Sequence, residues 1–273
     1  MNLVDLHIHT SHSDGKLSPI EVIELAKENY FSTISITDHD SVSGIKPAME
    51  YANKNGIEII PGIEFSTDLN GKEIHILGYF IDYNNKTLLD FVGTLRISRI
   101  SRLKAMIEKL NSMNLDVTWN DVYEMFPTDI SYGRPHLALA MMKKNIVKNY
   151  FEAFIKYIGD GKPACIKKTN PPAQFVLKLI NEIGGLSILA HPGKYINDEG
   201  IYTLINDGLD GIEIIHPSHT SALKKHYSAI ASQYFLLESG GSDFHGIVQA
   251  DFLNFGKYYI LQKQINNMKV RLQ

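Results

Sequence analysis

Cysteine is almost absent from this chain of 273 residues, which contains only Cys165. A single cysteine cannot form an intramolecular disulfide, and its scarcity excludes the thiolate sites that hold structural zinc. The chain also has no apolar run approaching the ~20 residues that span a bilayer, and its start lacks the basic and apolar segments of a secretory signal. These absences predict a cytoplasmic protein without a membrane partner.

An excess of positive charge is absent too. The formal net charge of −3 argues against a protein that coats nucleic acid non-specifically. The charge is uneven, since residues 94–170 hold 13 Lys+Arg against 7 Asp+Glu, and the rest holds 14 against 23. A basic middle segment beside an acidic body fits an anionic substrate held by both, although chance placement of charge on solvated helices explains the pattern equally well.

The apolar pattern alternates between strands and helices in two regions of the chain. Segments rich in β-branched residues predict strands at 2–7, 33–37, 57–63, 73–80, 186–190, 211–215 and 234–240. Helical patterns lie between most of these strands, and Ser18-Pro19-Ile20-Glu21 is a typical helix start. This alternation predicts an α/β fold with a largely parallel sheet or a closed barrel.

Strand patterns disappear between the two regions. Arg96, Arg99 and Arg102 lie three residues apart, which predicts that they share one face of a long helix ending near Asn114. Shorter helical patterns follow it. We interpret residues 88–168 as a helical insertion domain within a barrel formed by residues 1–87 and 169–273.

Histidine and carboxylate side chains follow the predicted strands. In a parallel barrel the carboxyl ends of the strands meet at one mouth, and alternate strand residues such as His7 and His9 share a face. A lone histidine is most often a hydrogen-bonded core or surface residue, but a repeated pattern at strand ends favours a site for several metal ions. The candidate ligands are His7, His9, Asp14, His39, Glu64, His75, His191, Asp243 and His245.

The segments around these residues resemble the motifs of a known family. LHIHTSHSDG, ITDHDS, GIEFS, EIHILGY, LAHPGK and GGSDFHG are similar, in order and spacing, to motifs of the PHP (polymerase and histidinol phosphatase) metal-dependent phosphoesterases. GRPHLA and GIEIIHPSHT resemble the subgroup that includes a 3′,5′-bisphosphonucleotide phosphatase and a 5′→3′ exonuclease of short RNA. The resemblance implies a distorted seven-stranded, TIM-like β/α barrel that holds three divalent ions of Mn, Fe or Zn.

The same resemblance implies a ligand set for each ion. One ion would be held by His7, His9, Glu64 and Asp243, a second by Glu64, His75 and His191, and a third by Asp14, His39 and His245. Clustered divalent ions activate a water molecule near neutral pH and neutralise phosphate oxygens during its attack.

Four further residues are candidates for substrate binding or catalysis. Arg134 and His136 of the GRPH segment would clamp a phosphate, and the same segment also resembles a helix start with proline at its first position. Lys194 follows a predicted ligand and would reach the substrate phosphate. His216 ends a strand and is a candidate general acid, phosphate contact or support for a ligand.

Taken together, the sequence predicts a metal-dependent phosphoesterase that hydrolyses a phosphomonoester of a small nucleotide, such as a 3′,5′-bisphosphonucleotide. The first alternative is a 5′→3′ exonuclease that acts on the ends of short RNA or DNA. A histidinol-phosphate phosphatase is disfavoured by the long insertion, and a non-catalytic domain is disfavoured by the complete ligand set. No obligatory protein partner is indicated.

Overall fold

A computed structural model describes residues 2–126, 129–193 and 196–273. Eight strands in this part of the chain form one sheet, in the order β7-β6-β5-β4-β3-β2-β1-β8. Their bounds are β1 Leu3–Ile8, β2 Phe31–Ile36, β3 Glu58–Leu69, β4 Lys72–Tyr79, β5 Leu186–Leu189, β6 Gly211–Ile215, β7 Leu237–Gly240 and β8 Ile260–Leu261.

The sheet curls into a nearly closed barrel because β1 meets the segment after β7. Ile8 forms a parallel bridge with Phe244, and the amide of His9 donates to the Phe244 carbonyl at 2.9 Å. The amide of Ser242 donates to the carboxylate of Asp5 at 3.0 Å. The predicted α/β barrel is therefore confirmed, with a short eighth strand that the sequence pattern did not indicate.

The strands β3 and β4 form a long antiparallel hairpin. Asn70 and Gly71 at its tip have φ values of 54° and 83°, as in a two-residue type I′ turn. Because β3 continues to Leu69, Glu64 lies inside a strand and not at its end, which corrects the predicted strand 57–63. The pairs β4–β5 and β1–β8 are also antiparallel, so the predicted parallel arrangement is only partly right.

Helices cover the outside of the barrel. They are α1 Pro19–Glu28, α2 Ile45–Ala52, α7 Ala173–Glu182, α8 Asp198–Asn206, α9 Ser221–Gln233, α10 Gln249–Asn254 and α11 Gln262–Arg271. The predicted start of α1 is confirmed, because Ser18 and Glu21 form a reciprocal capping box and Pro19 is the first helical residue. Buried aliphatic residues of α1 and α2, such as Val22, Ile23 and Ala48, pack against β2.

The middle of the chain is helical. It contains α3 Lys86–Ser112, α4 Trp119–Tyr123, α5 Arg134–Lys143 and α6 Tyr150–Ala153, with a π-helical turn at Phe154–Ile158. These helices share an apolar core that includes Leu103, Met106, Leu137 and Met141. The division into a barrel and an insertion domain at residues 88–168 stays a prediction. None of the helices within the described ranges combines the length and apolarity needed to cross a membrane.

Arg99 connects α3 to the barrel. Its Nε donates to Oδ2 of Asp40 at 2.8 Å, and Nζ of Lys168 lies 3.2 Å from the same oxygen. Burial by itself would raise the pKa of the Asp40 carboxyl, but Lys168 and Arg99 hold it well below its usual range. This buried ion pair fixes the helical segment beside the residues that follow β2.

The three arginines of α3 do not share one face, contrary to the prediction. Arg99 is buried, Arg102 is half-buried and Arg96 is exposed. The reason is geometric, since three residues of an α-helix turn about 300° and each step therefore rotates the side chain by about 60°.

Candidate metal centre

All nine predicted ligands meet at one mouth of the barrel. The strand β1 brings His7 and His9 there, and the hairpin brings Glu64 and His75. The ligand atoms form four overlapping sets, and within each set the atoms lie within 4.8 Å of one another. These sets are His9, Asp14, His39 and His245; His7, His9 and Asp243; His7, Glu64 and His191; and His39, Glu64 and His75.

Glu64 lies at the centre of the cluster and is completely buried. Its Oε2 is 2.9 Å from Nδ1 of His39, 3.2 Å from Nε2 of His9 and 3.4 Å from Nε2 of His7. Its Oε1 is 2.9 Å from Nδ1 of His75 and 2.9 Å from Nε2 of His191. Each oxygen of Glu64 therefore contacts a different group of imidazoles. A carboxylate in this position can bridge two metal ions.

Several buried ligand atoms lie close to one another but form no hydrogen bond among the residues that the structure describes. They are Nε2 of His7, both ring nitrogens of His9, Nδ1 of His39, Oδ1 of Asp14 and Oε2 of Glu64. Leaving one buried polar atom without a partner costs about 1–3 kcal/mol, so a protein rarely gathers several of them in one place. Imidazole nitrogens and carboxylate oxygens grouped in this way fit divalent cations.

The carboxylates of the cluster are in the protonation state that metal binding requires. Burial by itself would raise the pKa of each carboxyl group, but neighbouring imidazoles keep all three pKa values well below the usual range. The largest imidazole contribution comes from His39 for Asp14 and Glu64, and from His7 for Asp243. All three groups are therefore ionised at neutral pH, as metal ligands must be.

The backbone at the mouth adopts an unusual conformation. The φ values of Asp40, His191 and Asp243 are 48°, 25° and 51°, in the left-handed region that residues other than glycine seldom occupy. Each of these residues follows the end of a strand. Strained backbone of this kind persists where the surrounding structure fixes it, and it is concentrated at functional sites.

Glu213 supports two predicted ligands and was not identified from the sequence. It is fully buried in β6, its Oε1 lies 3.0 Å from Nδ1 of His7, and its Oε2 accepts the amide of His191 at 2.7 Å. With Nδ1 of His7 donating to a carboxylate, Nε2 of the same ring is directed to the cluster as an acceptor. The available clue was an acidic residue inside the apolar strand Gly211–Ile215.

Replacing Glu213 with Gln is expected to weaken metal binding by about 10- to 100-fold. The His7 ring and the His191 amide approach different oxygens of Glu213, and glutamine carries an NH2 donor in place of one of them, so it cannot accept from both. Titration of the metal-free protein with Mn²⁺ or Zn²⁺ measures the change. The matched control is Glu238→Gln on β7, where the carboxylate bonds to Ser228 instead. Equal metal affinity in the wild type and the Glu213 variant would contradict this role.

His216 lies beside Asp243 in the same mouth. Its Nε2 is 3.3 Å from Oδ2 of Asp243, and its Nδ1 is 2.7 Å from the hydroxyl of Ser218. Both His216 and Ser218 line the cavity above the cluster. A catalytic role for His216 stays a prediction.

The residues of the GRPH segment lie in different environments. Arg134 lines the cavity, and its Nη1 donates to Oδ1 of Asp160 at 2.6 Å. His136 is buried, with Nδ1 accepting the amide of Gly133 at 2.9 Å and Nε2 lying 2.8 Å from the Ser13 carbonyl. Both ring nitrogens of His136 are therefore engaged, and the ring joins α5 to the loop that carries Asp14.

The predicted substrate roles of Arg134 and His136 stay predictions. Lys194, the third predicted substrate contact, lies outside the described residues.

A cavity of about 570 Å³ opens above the cluster. Predicted ligands line it, among them His39, Glu64, His75 and His191. The lining also includes four basic side chains, namely Arg102, Arg134, Lys167 and Lys168, and the carboxylates of Glu73 and Asp160. A cavity of this size that contains both ligand atoms for cations and positive charge suits a small anionic molecule.

A β/α barrel that gathers histidines and carboxylates at one mouth defines a metal-dependent hydrolase. The chain belongs to the PHP domain family, whose model matches residues 5–180. Its homologues and structural neighbours are metal-dependent phosphoesterases, which confirms the predicted enzyme class.

Three similar proteins illustrate the family. A 5′-3′ exoribonuclease of Haemophilus influenzae is 30% identical over 246 residues, which cover 88% of this chain and 89% of the relative. A 3′,5′-nucleoside bisphosphate phosphatase of Chromobacterium violaceum is 30% identical over 249 residues, covering 89% of this chain and 87% of the relative. A solved structure from Bifidobacterium adolescentis, described as a metal-dependent phosphoesterase, superposes with a TM-score of 0.92 at 27% identity, covering 98% of this chain and 96% of the other.

Proposed function

We propose that this phosphoesterase hydrolyses a phosphomonoester of a small nucleotide, such as a 3′,5′-bisphosphonucleotide. The observation that carries the proposal is the cavity in which the ligand cluster and a set of basic side chains face the same space. The Chromobacterium relative, a nucleoside bisphosphate phosphatase, supports the substrate class.

The proposal includes three divalent ions of Mn, Fe or Zn. One would be held by His7, His9, Glu64 and Asp243, one by Glu64, His75 and His191, and one by Asp14, His39 and His245. Ions bound there supply Lewis-acid activation of water and neutralise phosphate oxygens. The unpartnered buried atoms support a metal site here, and Glu64 belongs to two of the overlapping sets, one with His7 and His191 and one with His39 and His75, as expected for a ligand shared by two ions.

The remaining residues hold the ligands and the substrate in place. Glu213 fixes the ring of His7, and His216 fixes the carboxylate of Asp243 through its Nε2. Arg134 offers a guanidinium to a substrate phosphate at the edge of the cavity, where Asp160 holds its Nη1. His136 keeps the loop of Asp14 against α5, so its contribution to substrate binding includes positioning this loop.

A 5′→3′ exonuclease acting on short RNA is the second candidate. The Haemophilus relative, which matches this chain as closely in identity as the phosphatase does, supports it. Both reactions break a phosphorus–oxygen bond of a nucleotide with water, so the same cluster could serve either. The two substrates differ in the number of ester bonds at the phosphate. A monoester has one, and its other oxygens are free, whereas a diester has a second ester bond to another nucleotide.

A direct comparison of two products separates the candidates. Metal-loaded protein is incubated either with 3′-phosphoadenosine 5′-phosphate or with a 5′-phosphorylated RNA pentamer, and kcat/KM is measured for release of inorganic phosphate and of mononucleotide. We expect the larger kcat/KM for phosphate release from the bisphosphate. Mononucleotide release without phosphate release from the bisphosphate would instead establish the exonuclease.

A further inference from the structure

The turn that follows β5 carries the predicted ligand His191. Its backbone has φ values of 25° at His191 and 52° at Gly193, both in the left-handed region. Glycine adopts such values at low cost because it has no Cβ, whereas histidine adopts them only where neighbouring groups hold the backbone. His191 and Pro192 also line the cavity above the cluster. We call residues 190–193 the ligand turn, and the position of the His191 ring depends on the groups that hold this turn.

Buried side chains hold the backbone of the ligand turn. Oε2 of Glu213 accepts the amide of His191 at 2.7 Å. Nε2 of His219 accepts the amide of Gly193 at 3.3 Å, and the hydroxyl of Tyr227 donates to the carbonyl of Gly193 at 2.5 Å. His219 and Tyr227 are 5% and 2% exposed. The ligand turn is therefore held at His191 from β6, and at Gly193 from α9 and the loop before it.

His219, in the GIEIIHPSHT segment, presents one defined nitrogen to the ligand turn. Its Nδ1 lies 3.0 Å from the carbonyl of Ile214, which can only accept, so Nδ1 carries the proton. Its Nε2 then has the free lone pair that the Gly193 amide needs. Burial lowers the pKa of the His219 ring, which keeps the ring neutral at neutral pH. The ring also packs beside Tyr227, with 5.3 Å between the ring centroids. His219 is thus a neutral acceptor with a fixed orientation.

His219 and Tyr227 lie outside the cavity. Neither is among the described residues that line it, so neither is placed to touch a molecule bound there. Filling buried space does not by itself require polar groups, since an apolar side chain of similar size fills it without the cost of losing hydration. The polar atoms of both side chains instead converge on Gly193, two residues after a predicted metal ligand. The feature that they share is therefore the ligand turn.

We propose that His219 and Tyr227 are positioning residues, which fix the ligand turn and so hold His191 in place as a metal ligand. The inference rests on the proposed function, which assigns His191 to an ion that it shares with Glu64 and His75. Nε2 of His191 lies 2.9 Å from Oε1 of Glu64. A metal ligand must stay within about 0.5 Å of its working position, and groups behind the ligand supply that precision.

The inference predicts a selective effect on metal binding. The ligand turn supplies a ligand to one of the three proposed ions, and the other two ions take their ligands from other segments. Loss of a hydrogen bond to Gly193 should therefore weaken the binding of one ion and leave the others nearly unchanged. A general loss of stability would instead weaken the binding of all three.

Calorimetric titration of the metal-free protein with Mn²⁺ tests this prediction. In the wild type it gives the dissociation constants of the bound ions, and His191→Ala identifies the constant that depends on His191. In Tyr227→Phe, which loses only the hydroxyl, the same constant should rise by about tenfold, the low end of the range for removing a group that orients a ligand. The other constants should stay within about twofold of the wild type, as for independent sites.

Two substitutions of His219 separate its acceptor atom from its bulk. The amide of glutamine reaches the position of Nε2, so His219→Gln can still accept from the Gly193 amide and should retain most of the metal affinity. Asparagine is shorter, and its amide reaches only the position of Nδ1. His219→Asn therefore keeps the bond to Ile214 but should weaken the same ion as Tyr227→Phe does. Loss of packing alone does not produce recovery by glutamine without recovery by asparagine.

The matched control is Tyr51→Phe on α2. The hydroxyl of Tyr51 donates to Oε1 of Glu24 at 2.8 Å, between two helices that cover the outside of the barrel. This variant also loses one hydrogen bond of a tyrosine, but not one to the ligand turn. It should leave every metal constant unchanged.

The outcomes separate this inference from the proposed function. If Tyr227→Phe and His219→Asn bind every ion as tightly as Tyr51→Phe does, or weaken all ions equally, the positioning role is wrong and the proposed function stands. If the wild type binds the ions but hydrolyses no phosphate ester, the proposed function is wrong, and selective weakening of one ion still supports the positioning role. A wild type that binds no divalent ion would overturn both. If His219→Asn does not fold, the comparison of Tyr227→Phe with Tyr51→Phe decides the question.

Discussion

Replacing Glu64 with Gln is expected to lower kcat/KM for p-nitrophenyl phosphate by about a thousandfold, equivalent to ~4 kcal/mol. Glu64 is fully buried, and its two oxygens lie within 3.4 Å of nitrogens from five imidazole rings. Glutamine preserves the size of the side chain but removes the negative charge and one acceptor oxygen. It cannot neutralise two cations, so we expect the metal content to fall with the activity.

The experiment combines kinetics with metal analysis of the purified variant by mass spectrometry. The matched control is Glu58→Gln, at the first residue of the same strand, where the carboxylate is exposed and pairs with Lys269 at 2.8 Å. This control should retain both the metal and the activity. Full activity and a full metal complement in Glu64→Gln would show that Glu64 does not bridge two ions.

Removing the metal with a chelator is expected to abolish hydrolysis and to lower the thermal midpoint by roughly 10 °C. The loss of stability has a local cause, because buried atoms of His7, His9, His39, Asp14 and Glu64 form no hydrogen bond among the described residues. A cation that binds only the folded protein stabilises it in proportion to the logarithm of its concentration, by ~4 kcal/mol at a thousand times its dissociation constant.

Metal analysis before chelation should find about three divalent ions per chain, the number that the resemblance to PHP phosphoesterases implies. Adding Mn²⁺, Fe²⁺ or Zn²⁺ back one at a time, with activity and thermal midpoint recorded for each, identifies the metals that restore function. Mg²⁺ is an informative control, because it prefers oxygen ligands and this cluster is rich in imidazole nitrogen. A chelated protein with unchanged activity and stability would contradict the metal centre.

Much of the site could be predicted because its residues recur in a regular relation to short strands. His7 lies on β1 and His9 comes directly after it, and His39, His191 and Asp243 come within three residues of the ends of later strands. In a barrel those positions meet at one mouth whatever the length of chain between them. The surrounding segments also resemble PHP motifs, and this resemblance predicted the family and the assignment of ligands to each ion. The match to the PHP family model confirms the family.

Other features depended on the direction of chain segments that sequence patterns do not specify. The pattern of β4 indicates a strand, but it does not indicate that β4 pairs antiparallel to both neighbours. That direction places His75, close to the start of β4, beside Glu64. Similarly, the spacing of Arg99 and Arg102 predicts a helix, but only packing against the barrel determines that one binds Asp40 while the other lines the cavity.

The sequence by itself determined the alternation of strands and helices, the nine candidate ligands and the chemical class of the site, because each depends on local pattern and residue type. Only the tertiary structure decided which residues outside the ligand set contact the ligands or line the cavity beside them. Glu213, Arg102 and Lys168 come from distant parts of the chain, and each is an ordinary charged residue in its local context. Their roles arise from burial and from neighbours brought close by the closure of the barrel, and these are properties of the folded chain alone.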